Sequence, residues 1–176
     1  MTVLETIIAR QSTRDWTEEK VSDEILAQLL EAGRRSPSPL NSQPWHFIVV
    51  RNKDAIKKIM GYAHHGAFLS HADVVVVVTV EKKAKIDQWL FEHEQHLYSG
   101  ACALYNMWLA SCELGLGSCW VTLDEQKVEE FLSIPSDQKI IGSLATGYSK
   151  EGYHREAPRK ELSEIVSYER YGKTTE

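Results

Sequence analysis

The chain has 176 residues, of which 43% are apolar and 26% charged, with a net charge of −5. That length suits one domain, 1–176, with a sizeable core, and its scattered basic residues argue against nucleic acid as the main partner. The first residues carry an acid at Glu5 and no long apolar stretch, so they do not read as a secretion signal, and no apolar run approaches membrane-spanning length.

In chain order, Thr2-x-x-Glu5 reads as a capping box for a short helix ending near Ala9. Ser22 caps a second helix reaching about Arg34, with Ile25, Leu26, Leu29 and Leu30 as its apolar stripe. A turn-rich loop, Ser36-Pro-Ser-Pro-Leu-Asn-Ser-Gln-Pro44, leads into a strand near His46–Arg51. Asp54 to Met60 reads as a short helix, and Gly61 to Ser70 as a mobile segment. Five consecutive valines, Val74–Val78, cannot alternate between core and water, so the strand Val74–Val80 is expected to be buried on both faces. Lys82 to Leu114 reads as helix broken near Ser99-Gly100. Its second half is apolar almost all round, which suits a central position or a subunit interface. Gly115 stops it. A strand Ser118–Leu123, a helix Asp124–Leu132 capped by Asp124, and a strand Ile140–Tyr148 follow. The tail from 149 is basic and polar, with one apolar run at Leu162–Tyr168. The fold class is α+β: a mixed central sheet flanked by helices.

Several groups could carry chemistry. Arg10, Ser12 and Arg14 stand at i, i+2 and i+4, so in an extended segment they share one side. Two guanidinium forks and a hydroxyl suit a phosphate; the alternative is a solvated pair with Arg10 at a helix end. Asn41 and Gln43 carry amides able to hold a flat heterocycle, and Pro37 and Pro39 would pre-order their loop. Gly115-Leu-Gly117 follows a helix instead of a strand, which is the wrong order for a dinucleotide fingerprint. His93 and His96 have metal-compatible spacing but no evident partner ligands. Arg155, Arg159 and Lys160 could complete a phosphate site or be solvated. Cys102, Cys112 and Cys119 form no C-x-x-C pair; they read as small core hydrophobes in a reduced, cytoplasmic setting. No catalytic triad or carboxylate pair stands out, as expected where a cofactor carries the chemistry.

The chain resembles the nitroreductase family of FMN-dependent oxidoreductases. The resemblance lies in Arg10-Gln-Ser-Thr-Arg14, Ser36-Pro-Ser-Pro-Leu-Asn-Ser-Gln-Pro-Trp45, Glu113-Leu-Gly-Leu-Gly-Ser-Cys-Trp120, Leu144-Ala-Thr-Gly-Tyr148 and Ala157-Pro-Arg-Lys160. These segments occur in family order and span nearly the whole chain. The resemblance implies an intertwined homodimer with FMN at the subunit interface, NADH or NADPH as electron donor, and a small-molecule acceptor such as a nitroaromatic or quinone. It implies that Arg10 and Ser12 meet the phosphate and ribityl end, joined by Arg159 and Lys160, and that Arg14 lies near the pyrimidine edge. Pro37, Ser38 and Asn41 would reach the flavin from the partner subunit. Gln11, Leu40 and Gln43 are further candidates. Flavin cleavage, reductive dehalogenation and a non-catalytic FMN-binding module are the alternatives.

Overall fold

The computed structural model describes residues 1–82, 86–150 and 157–174. Its elements are α1 (Val3–Ala9), α2 (Asp23–Arg34), β1 (Trp45–Val50), α3 (Lys53–Gly61), β2 (Val74–Glu81), α4 (Gln88–Glu92), α5 (Gln95–Glu113), β3 (Gly117–Val121), α6 (Glu125–Leu132), β4 (Gln138–Gly147) and α7 (Leu162–Ile165). The helix starts follow local side-chain chemistry. Thr2 and Glu5 form the reciprocal capping box of α1, and Ser22, Asn52, Asp87 and Asp124 each accept from a backbone N–H of the helix that follows.

The four strands form one sheet in the order β1-β2-β4-β3, every neighbouring pair antiparallel. Among the described residues, a parallel contact occurs at the outer edge of β3, where Ser12 bridges Ser118. The valine run of β2 decides the layering. Val74, Val76 and Val78 pack on one face with Leu26 and Leu29 of α2 and with Leu104 and Met107 of α5. Val75 and Val77 pack on the other with Ile56, Ile59 and Met60 of α3 and Val128 of α6. All five valines are fully buried, each worth roughly 1.5–3 kcal/mol relative to exposure. The sheet is therefore sandwiched between two helical layers, as the valine run implies.

Three readings are corrected. The break between helices falls at His93-Glu94, where Glu94 takes a left-handed φ of 56°. Helix α5 runs unbroken through Ser99-Gly100. Gly100 serves close packing instead: a Cβ there would lie 2.6 Å from Val80 and 2.7 Å from Ile141. The segment 61–70 is also more ordered than its composition suggests. It contains a short 3-10 helix, Ala67–His71, with Leu69 buried in the core. Cys102 is exposed, so only Cys119 of the three thiols is a buried core residue. The apolar helix α5 is buried on one face alone: His96, Ser99, Gly100, Ala103, Leu104, Met107 and Ser111 meet the sheet, while Tyr98, Cys102 and Tyr105 face outward. Among the described residues, no helix is long and apolar enough to cross a membrane.

Candidate functional site

The Arg10–Arg14 segment is anchored to the outer edge of β3. Arg10 closes α1 by donating its N–H to Thr6 O at 2.9 Å. Thr13 N–H then donates to Ser118 O at 2.9 Å, Trp16 Nε1 to Gly117 O at 2.8 Å, and Thr17 N–H to Tyr148 O at 2.8 Å. Gly117 permits this approach, since a Cβ on it would stand 2.6 Å from the Thr13 side chain. The second glycine of the G-x-G thus spaces the segment from the sheet, while Gly115, at φ 74°, ends α5.

A cleft of about 220 Å³ opens here, its walls including Arg10, Gln11, Thr13, Trp108, Cys112 and Ser118. The Arg10 guanidinium carbon lies 4.2 Å above the Trp108 ring centroid. Arg14 turns back and donates Nη1 to Ser12 O at 3.1 Å. Arg10 and Arg14 form no ion pair among the described residues. Arg10 in the cleft wall and Arg14 on the same segment, neither with a carboxylate partner among the described residues, fit a phosphate-bearing ligand. Two of the thiols are disfavoured as thiolates. Burial pushes both Cys112 and Cys119 up, and for Cys119 it outweighs the lowering effect of Arg14, Ser12 and Arg10.

The loop 36–43 is a second prepared element. Ser36 is buried and accepts from Asn106 Nδ2 at 2.8 Å. Beyond it a 3-10 turn spans Pro39–Asn41. Leu40, Asn41 and Gln43 have φ of 52°, 52° and 46°, a left-handed cluster that costs about 1–2 kcal/mol for an ordinary L-residue. Gln43 N–H donates to Ser38 Oγ at 3.0 Å and its Nε2 to Asn41 O at 3.3 Å. Ser38 is half-buried, while Pro37, Leu40, Asn41 and Gln43 are exposed.

Loop and clamp lean on one helix from different sides. Asn106 anchors the loop and Trp108 underlies Arg10. Two residues apart on α5, they point roughly 200° apart around its axis. Within one chain the helix stands between the two halves.

Arg159 and Lys160 are exposed, and among the described residues Arg159 Nη1 donates to the nearby carbonyls of Ala157 and Pro158. Arg155 lies outside the described residues. Helix α7 has its own capping box, Glu161 with Glu164. Yet Leu162, Ile165 and Tyr168 are 73%, 62% and 41% exposed. The described hydrogen bonds of residues 157–174 all close within that segment, so none of them joins Arg159 and Lys160 to Arg10. Among the described residues no group of three metal-ligating side chains occurs. His93 bonds Trp89 O and His96 stacks on Phe91. The sequence reading missed Thr13, Asn106, Gly117 as a spacer, and Trp108; the long-range pairings that give them roles leave no local spacing signal.

A helix-flanked antiparallel sheet with an anion-ready cleft at one edge defines the class. The comparisons with known proteins make it specific. The model of the "Nitroreductase family" matches residues 7–68, and one described as "Putative TM nitroreductase" matches residues 92–175. An Archaeoglobus fulgidus protein named "Putative NADH dehydrogenase/NAD(P)H nitroreductase" is 30% identical over 153 residues, covering 84% of this chain and 86% of that protein. The crystal structure of a nitroreductase family protein from Clostridium difficile 630 superposes with a TM-score of 0.83 at 30% identity, covering 97% of this chain and 99% of the other. A Desulfovibrio desulfuricans structure, "a putative nitroreductase in complex with fmn", gives a TM-score of 0.83 at 27% identity, covering 97% and 98%. The chain belongs to the nitroreductase family and is a nitroreductase-like flavin oxidoreductase.

Proposed function

We propose that the protein is a homodimeric, FMN-dependent NAD(P)H oxidoreductase that reduces nitroaromatic, quinone or similar small-molecule acceptors by a ping-pong mechanism. The observation that carries this is the pair of guanidinium groups, Arg10 and Arg14, on the segment fixed to β3, neither with a carboxylate partner among the described residues. The FMN complex of the Desulfovibrio desulfuricans relative supports the same cofactor here. FMN held by these residues would supply reversible two-electron chemistry between NADH or NADPH and an acceptor.

The residues divide that work. Arg10, Gln11 and Ser12 hold the phosphate and ribityl end, with Arg159 and Lys160 joining once the tail is seated. Arg14 supplies a permanent cation where negative charge grows at the pyrimidine edge. Pro37, Ser38, Leu40, Asn41 and Gln43 act from the partner subunit. The separation of loop and clamp by α5 supports that assignment in trans. The unsatisfied apolar surfaces support the homodimer: Val3, Leu4, Ile7 and Ile8 of α1, Tyr98 and Tyr105 of α5, and Leu162, Ile165 and Tyr171 of the tail are exposed on the single chain.

The test is an absorption spectrum of the purified protein and its titration with FMN, followed by anaerobic bleaching with NADH or NADPH and steady-state turnover of a quinone. Yellow protein, bleaching and parallel double-reciprocal lines are expected. Failure to take up FMN would overturn the reading; uptake without turnover would leave a flavin-binding module in its place.

A further inference from the structure

Trp108 stands outside the motifs that carry the family resemblance, yet it is the residue on which Arg10 rests. We propose that Trp108 is a positioning residue that fixes the Arg10 guanidinium for a phosphate and so sets the preference for phosphorylated over unphosphorylated flavin. The proposal rests on the FMN reading above.

Arg10 sits half-exposed at the end of α1, where a long side chain has many rotamers to choose from. A carboxylate could order it, but only by neutralising the charge that a phosphate needs. The Trp108 face orders it differently. At 4.2 Å from the ring centroid, the ring quadrupole attracts the cation while leaving its N–H donors and charge free.

The ring is itself held. Trp108 Nε1 donates to Ser118 O at 3.1 Å. The same carbonyl accepts Thr13 N–H, so one oxygen of β3 sets both the indole and the segment bearing Arg10. Tyr105 and Trp120 meet Trp108 edge-on, with centroids at 6.4 and 6.5 Å. Flanked on two sides and hydrogen-bonded at its edge, the indole has little freedom to swing away from Arg10. Trp108 and Arg10 line the same cleft.

The experiment measures dissociation constants for FMN and riboflavin with the full chain by flavin fluorescence, in wild type, Trp108→Phe and Trp108→Leu. The readout is the FMN-to-riboflavin selectivity, which a merely structural role for Trp108 does not move. Trp108→Leu is expected to reduce selectivity roughly five- to thirtyfold, and Trp108→Phe, which keeps a weaker ring face, about two- to threefold. Riboflavin affinity stays near the wild-type value in both. If leucine does not fold, the phenylalanine variant decides alone. Equal weakening of both flavins, or unchanged selectivity, overturns the role of Trp108 and leaves the FMN reading standing. A wild type that binds neither flavin overturns both.

Discussion

Two segments of this chain carry a pair of cations proposed for one flavin, and they are built in opposite ways. Arg10 and Arg14 lie on a stretch fixed to β3 by Thr13, Trp16 and Thr17, each bonding a backbone oxygen of the sheet or its end. Arg159 and Lys160 lie on a tail whose described hydrogen bonds are all its own and whose helix exposes its apolar residues. The first half-site is organised by the chain itself. The second has a formed helix with nothing of its own to cover, which suits an arm laid on a second copy. The largest predicted effect follows. Replacing Leu162 and Ile165 together by Asp should remove two aliphatic burials, weakening the dimer by about 3–6 kcal/mol. Sedimentation should show monomer, bound FMN should be lost, and the far-ultraviolet signature of the sheet should remain. A dimer of unchanged affinity would break the contrast.

The cations themselves sharpen it. Arg10→Ala removes a preorganised charged donor, so FMN binding should weaken by about 1.5–3 kcal/mol. Arg159→Ala removes a donor from an exposed arm that must be ordered first, and about 0.2–1 kcal/mol is expected. Isothermal titration with FMN measures both. Equal losses would mean that the tail is as well prepared as the clamp.

The same contrast explains what could be read from the sequence. Local signals were legible: the Thr2–Glu5 box, the Ser22 and Asp124 caps and the valine run each depend on neighbouring residues, and each has the structure its chemistry implies. The helix break was not. Ser99-Gly100 has a breaker's composition, but Gly100 is placed for contact with Val80 and Ile141, and tertiary packing overrides its propensity. The five family segments were visible as motifs. The pairings that assemble the clamp, Thr13 with Ser118, Trp16 with Gly117 and Arg10 with Trp108, join residues about a hundred positions apart and leave no periodicity to find.

Gly117 tests whether the clamp depends on that assembly. Gly117→Ala puts a methyl within 2.6 Å of Thr13 on a strand edge with no free space. Overpacking of this kind costs about 1–3 kcal/mol. Thermal unfolding should shift down, and FMN affinity should fall with it as the Arg10 segment moves off β3. Lower stability with unchanged FMN affinity would separate the clamp's position from its anchoring.

A small effect concerns the loop, which resembles the clamp in being preformed but is prepared by strain instead of by hydrogen bonds to the sheet. Leu40 is 72% exposed with φ 52°, a conformation that costs a leucine more than an asparagine. If the loop's only task were to turn the chain, Leu40→Asn should be a gain: thermal stability should rise by about 0.5–1 kcal/mol with no loss elsewhere. If Leu40 contacts the flavin of the other subunit, stability should rise and FMN affinity should fall by a few-fold as an apolar contact is lost. We expect the second outcome. An exposed leucine held in a strained backbone is hard to explain by the fold of its own chain, whereas a surface presented to a partner gives both the strain and the exposure a use.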